Sequence, residues 1–310
     1  MAERSPCLYV HVGGTKRNEG RLGHFGTAAH RQCLCRSVKI PLPGRRCIPS
    51  VLRSLKGFSE PQGVLYVPEL NKLYITNAGN GECDVLDGST YSLLKRIDLG
   101  ADADNLHYEP ATGRMYISAG NNLVILDVAD DRQVGAIAFP GHPEGLVLEH
   151  DGSRVFVNVP VPSGSVFVVD RAQAAIKSRW PVGNVFSSAI SNFPIALDEK
   201  HGLLFVGTRA PALLKAIDIS SGKTVADAGT DGDADDISYD PERARVYVSC
   251  GAGFVDVFQQ EDSGRLTEVG RIATAAGGRT SLWVPERGRL FVAVPHRGSH
   301  AAEIRVYAAE

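Results

Sequence analysis

Apolar residues along this chain arrive in short bursts separated by polar turns, and one order of bursts returns six times. GVLYVPELNKLYITN (63–77), NLHYEPATGRMYISA (105–119) and GLVLEHDGSRVFVNV (145–159) lead; IALDEKHGLLFVGT (195–208), ISYDPERARVYVSC (237–250) and SLWVPERGRLFVAV (281–294) follow. Each stretch reads as a short apolar strand, a turn rich in Pro, Asp, Glu and Gly, and a second alternating strand. The second strands share an aromatic anchor (Tyr74, Tyr116, Phe156, Phe205, Tyr247 and Phe291) at intervals of 40 to 49 residues. A third strand then ends on a carboxylate in four units: CDVLD (83–87), LVILD (123–127), VFVVD (166–170) and LKAID (214–218). VDVFQ (255–259) and IRVYA (304–308) are variants of it, and turns such as Ser220–Lys223 lead on to a fourth strand.

Four strands in a unit of about 42 residues predict a blade, a sheet that buries both faces only when neighbouring blades stack on it. The fold class expected is therefore all-β, a β-propeller of four-stranded blades over residues 59–310. Five units are complete between about 61 and 277. The sixth, from about Gly278, reaches only its third strand.

The strand Leu73-Tyr74-Ile75-Thr76-Asn77, with a third strand ending in Asp, resembles the YVTN-repeat family of YncE-like β-propellers. The resemblance spans 59–310 and reads YITN where the family's name motif reads YVTN. The GH and WD marks of WD-type propellers are absent, and with only Trp180 and Trp283 so is the tryptophan-docking pattern of quinoprotein dehydrogenases. The resemblance implies seven blades, a mostly bacterial and exported setting, and an attachment of DNA binding to such propellers by name. Residues 1–58 would then supply a degenerate first blade. They would also supply a strand, expected at Leu8–Val12, that closes the ring beside Ile304–Tyr307 and removes an open sheet edge.

Charge separates that first segment from the rest. Residues 1–58 carry 11 Lys/Arg against Glu3 and Glu19, whereas the remainder carries 22 bases against 33 acids, so the net charge of −2 hides an acidic body. Pro41, Pro43 and Pro49 stand where central strands should pair, and proline donates nothing to a ladder. Two readings stand for 1–58: a diverged blade, or a segment translated outside the ancestral frame; either way Cys33–Ser50 is expected to be the least ordered part. The N-terminus lacks the apolar core of a secretory signal, which predicts a chain that is not exported, against the family's setting. No run approaches a membrane span. The six cysteines make no metal or disulfide framework and read as free thiols.

Chemistry on a propeller is expected on the loops at one end of the channel. Counting four residues back from each first-strand anchor yields a column: Gln62, Asp104, Glu144, Phe193, Asp235 and Arg279, with Asn105, Asn192 and Asp236 beside it. A second set of loops adds Asn77, Asn80, Asn121, Arg209, His296 and Arg297. Asp104, Glu144, Asn192 and Asp235 offer oxygen ligands that suit Ca2+ or another divalent cation. The competing account is ordinary strand-start chemistry, in which such side chains satisfy backbone groups at turns. Arg209, Arg279 and Arg297 offer bidentate donors to a small polar or anionic ligand. Asp87, Asp127, Asp170 and Asp218 read as turn caps, and His142 and His296 as packed or solvated side chains.

No nucleophile elbow, phosphate-binding glycine loop or HExxH motif is present. The function expected is therefore a non-catalytic binding or scaffold protein, holding a ligand or a partner protein at the channel mouth. A metal-assisted, lactonase-like hydrolase is the enzyme alternative. The acidic balance of 59–310 argues against a nonspecific grip on nucleic acid.

Overall fold

A computed structural model describes residues 10–14, 53–182, 192–262 and 264–309. The strands are β1 (Val10–Gly14) and β2 (Arg53–Phe58), then six sheets in chain order. Blade one is β3 (Pro61–Val67), β4 (Lys72–Asn77), β5 (Glu82–Asp87) and β6 (Leu93–Asp98). Blade two is β7 (Ala103–Glu109), β8 (Arg114–Ala119), β9 (Asn122–Asp127) and β10 (Arg132–Ala138). Blade three is β11 (Leu146–Leu148), β12 (Arg154–Val159), β13 (Ser165–Asp170) and β14 (Ala175–Pro181). Blade four is β15 (Asn192–Asp198), β16 (Leu203–Arg209), β17 (Ala212–Asp218) and β18 (Thr224–Gly229). Blade five is β19 (Ala234–Asp240), β20 (Arg245–Cys250), β21 (Phe254–Gln260) and β22 (Leu266–Ala273). Blade six is β23 (Thr280–Val284), β24 (Arg289–Val294) and β25 (Glu303–Ala308).

Every blade is an antiparallel meander, and only two 3₁₀ turns, Pro68–Leu70 and Pro285–Arg287, interrupt the β structure among the described residues. β3 packs beside β7, β7 beside β11, β11 beside β15, β15 beside β19, and β19 beside β23, which places the first strands innermost.

Burial explains the hydropathy pattern. The second strand of each blade is covered on both faces by its neighbours, so KLYITN, RMYISA and RVYVSC are buried after their first residue. Fourth strands run along the rim and are mostly exposed, as LLKRID shows. The apolar core is accordingly divided into slabs between blades. Tyr74 and Val85 of blade one pack with Met115 and Leu126 of blade two. Phe156 and Val168 of blade three pack with Leu204 and Ile217 of blade four, and Tyr247 with Trp283 across blades five and six. All six aromatic anchors are buried. The four repeated third-strand carboxylates cap turns: Asp87 accepts from the Ser89 and Thr90 amides, Asp127 from Ala129, Asp170 from Gln173 and Asp218 from Ser221. Cys83 and Cys250 are free and buried.

Two expectations are corrected. The described strands make six blades, five of four strands and the last of three, and not seven. The N-terminal strand β1 pairs in parallel with β2, and β25 has β24 as its one strand partner among the described residues, so Val10–Gly14 lies in a separate two-stranded sheet and not beside β25. The reason lies in β2, whose Leu55 and Phe58 pack on Val64, Leu73, Ile75 and Leu86 and so cover the free face of blade one. Arg53 extends this contact over the Tyr91 ring and donates to the Thr90 carbonyl. The expectation of low order for Cys33–Ser50 lies outside the described residues.

Candidate functional site at the channel mouth

The six column residues converge. Gln62, Asp104, Glu144, Phe193, Asp235 and Arg279, one from each blade, line a single cavity of about 410 Å³ at the channel mouth. Four of the innermost strands break their register where the column residue stands: between Pro61 and Val64, Ala103 and Leu106, Asn192 and Ile195, and Ala234 and Asp236. A bulge of this kind re-aims side chains out of the pleat, and here it does so toward the common axis. Glycine then lets the inner strands close up. A Cβ on Gly63 would lie 2.3 Å from the Leu106 side chain, and one on Gly145 would lie 2.4 Å from the Phe193 carbonyl.

A repeated hydrogen bond braces the column from behind. Thr76, Ser118 and Asn158 each stand two residues after an aromatic anchor, and each donates to the carbonyl of the next blade's column residue. Thr76 Oγ1 donates to Asp104 O (2.5 Å), Ser118 Oγ to Glu144 O (3.2 Å) and Asn158 Nδ2 to Phe193 O (3.1 Å). Asn105 Nδ2 adds a second donor to Glu144 O at 3.2 Å. These residues escaped the sequence reading. The signal was available as a polar residue at the same offset in three successive second strands, a poor choice for a doubly covered position unless it has a partner.

The wall divides into two halves. In one, Arg209 and Arg279 are held by carboxylates. Arg209 donates to Asp235 Oδ1 and to Ala234 O, and its guanidinium lies 3.7 Å from the centre of the Phe193 ring. Arg279 is buried, with NH1 2.6 Å from Asp233 Oδ1 and Nε 2.9 Å from Asp235 Oδ2. Both guanidinium charges are thus matched by carboxylates of the wall, and both oxygens of Asp235 are engaged by arginine. Asp236 accepts from the Ser281 amide at 2.9 Å, and burial pushes its carboxyl up to about 7.

In the other half Asp102, Asp104 and Glu144 meet, with the Arg209 charge reaching Glu144 as a lesser influence. Asp104, His142 and Glu144 each place a ligand atom within 4.8 Å of the others, and Asp102 lies beside them. His142 Nδ1 is 2.6 Å from the Gly120 carbonyl, and Nε2 is 3.8 Å from Asp104 Oδ2. Burial alone would lower the imidazole pKa; the hydrogen bond and charge of Asp104, with the charge of Asp102, turn the net shift upward. Glu144 is raised well above the usual carboxylate range by burial first, then by the charge of Asp104 and a hydrogen bond to it. Asp102 is raised by burial, against the His142 charge.

The other residues picked out from the sequence fall elsewhere. Asn105 lines the cavity but spends its amide on Glu144 O. Asn192 opens β15, opposite Thr208; its side chain lies outside the described residues. His296 and Arg297 are exposed on the loop after β24 and are not part of the cavity wall. Asn77 is buried against Asp84 within blade one. His142, read as isolated, is brought to Asp104 by the stacking of blades two and three.

No family model matches the chain, and no curated protein matches it. Solved structures do share its fold. One is hydrazine synthase of Kuenenia stuttgartiensis, with a TM-score of 0.63 and 14% identity over 75% of this chain and 73% of that one. Another is a chain in the crystal structure of the mitotic checkpoint complex, with a TM-score of 0.65 and 14% identity over 79% of this chain and 74% of that one. Identity this low is a likeness of fold alone. The chain is similar to these proteins as an all-β propeller.

Proposed function

We propose that this protein is a non-catalytic binding propeller whose channel mouth takes a small, positively charged ligand. One observation carries the reading: five carboxyl groups, Asp102, Asp104, Glu144, Asp235 and Asp236, face the cavity, while both arginines of its wall are already paired with acids. A concave site in which one sign of charge is in excess raises the local concentration of the opposite sign. The choice of sign departs from the polar or anionic ligand that the arginines imply when the sequence is read without the fold. The YVTN-type repeat stays part of this proposal, resting on the Leu73–Asn77 strand and its copies. The acidic mouth also counts against DNA, whose phosphates it would repel.

The test is a thermal-shift series on the full-length protein with spermidine, arginine and choline set against citrate and phosphate. A ligand that binds only the folded state at 100 times its Kd stabilises it by about 2.7 kcal/mol. In a chain of this size that raises Tm by roughly 4 °C. The cations are expected to raise Tm, and Glu144→Gln to reduce the rise. A rise with citrate or phosphate and none with any cation would overturn the proposal.

A further inference from the structure

We propose that Asp104, His142 and Glu144 form a binding site for one divalent transition-metal ion of the zinc, cobalt or manganese kind. This rests on the acidic mouth described above and names one cation that it takes. The ligand atoms of the three side chains lie within 4.8 Å of one another. Zinc holds nitrogen and oxygen ligands at about 2.0–2.2 Å, so two ligands of one tetrahedral ion stand roughly 3.3–3.6 Å apart. Small side-chain rotations therefore bring all three onto a common centre.

The imidazole adds a nitrogen donor to the two carboxylates, oriented from outside the cluster. With Nδ1–H donated to the Gly120 carbonyl, Nε2 faces Asp104 at 3.8 Å, where a proton and a metal ion compete for the same place. An acceptor nitrogen turned toward a carboxylate is repelled unless a proton or a metal ion lies between them. Orientation of a ligating histidine by a carbonyl on its far nitrogen is also the usual outer support of a metal site. Thr76, Ser118 and Asn105 fix the backbone of Asp104 and Glu144, so two of the three donors stand on braced strand starts.

The donor set decides the ion. One imidazole nitrogen with two carboxylate oxygens suits borderline ions, whereas Ca2+ and Mg2+ prefer oxygen alone and more ligands than three. Asp235 does not complete the set, because Arg209 and Arg279 hold its oxygens. Three protein ligands leave a coordination position open toward the cavity, where water or a polar ligand can enter. This replaces Ca2+, the ion that fits the oxygen-only set read from the sequence.

Calorimetric titration of chelator-stripped, full-length protein with Zn2+, Mn2+, Ca2+ and Mg2+ tests the site. Histidines and cysteines elsewhere also bind metals, so the readout is the equivalent that a variant removes. Wild type is expected to take up one more equivalent of Zn2+ or Mn2+ than His142→Ala. Glu144→Gln should weaken that equivalent by about 100-fold or more, beyond the loss typical of an outer-shell partner. His150→Ala, at an exposed histidine distant from the mouth, should change nothing here. Circular dichroism confirms that each variant is folded. If His142→Ala unfolds, paramagnetic shift of the His142 imidazole resonances on adding Co2+ to wild type decides instead. Equal uptake by wild type and His142→Ala, absence of the shift, or tighter binding of Ca2+ than Zn2+ at the triad would overturn the inference. Spermidine binding without metal binding would sink this site and leave the broader proposal standing; a Tm rise with citrate or phosphate and none with any cation, metal ions included, would sink both.

Discussion

Asp236 stands one residue beyond the side chain that blade five turns into the cavity, and burial lifts its carboxyl from 3.8 to about 7. A carboxyl whose folded pKa is raised contributes stability that is complete below about 4 and is lost as pH climbs to 7, because only the unfolded chain ionises freely over that window. Asp236→Asn keeps an oxygen for the Ser281 amide and cannot ionise. The variant is expected to match wild type near pH 4 and to exceed it by about 1–3 kcal/mol at pH 8. Urea unfolding across that range checks this, and parallel curves for the two proteins would refute it. Asp256, raised to about 6 chiefly by burial, slopes the same way in both proteins and does not affect their difference.

Among the elements, β25 is the exception. The third strands of the five earlier blades have ladder partners on both sides, whereas β25 shares a backbone ladder with β24 alone among the described residues. Amides on its outer edge have no ladder to protect them, so Ile304–Tyr307 should exchange with solvent far faster than Val124–Leu126 of β9. Hydrogen exchange read by mass spectrometry or NMR measures this directly. Equal protection in the two strands would mean that another strand covers β25, which would revive the expectation of N-terminal closure. The four-strand period was legible in the sequence because turn residues and apolar bursts alternate locally. The bulges that aim Gln62, Asp104 and Asp235 were not, since a bulge depends on how two strands pair.

At the scale of the molecule, blades are held by buried polar clamps as well as by apolar slabs. Tyr74 Oη of blade one donates to Asp131 Oδ1 at 2.6 Å and to Val128 O at 3.2 Å, and Lys72 Nζ reaches Asp131 Oδ2 at 2.6 Å. Both acceptors lie in the turn between β9 and β10 of blade two, so one side chain ties two sheets. Tyr74→Phe leaves the ring in its slab and strands part of the Asp131 carboxylate. It is expected to cost about 1–3 kcal/mol in urea unfolding. The loss should be removed in the Asp131→Ala background if the clamp carries it. An unchanged midpoint in Tyr74→Phe would show that the ring alone matters.

Read alone, the sequence determined the blade. Its strands, the six buried aromatics, the capping role of Asp87, Asp127, Asp170 and Asp218, and the column whose members meet at the mouth all follow from periodicity, which is local. Which column members act together was decided only by stacking. Asp104 and His142 lie in different blades, as do Arg209 and Asp235, and no spacing along the chain announces either pair. The same holds for the blade count: β2 is an ordinary short strand in sequence, and it covers blade one because Leu55 and Phe58 find an apolar face there. Strand and turn preferences act between near neighbours in the chain. Charge pairing, by contrast, depends on distance in space, which exists only once the ring has formed.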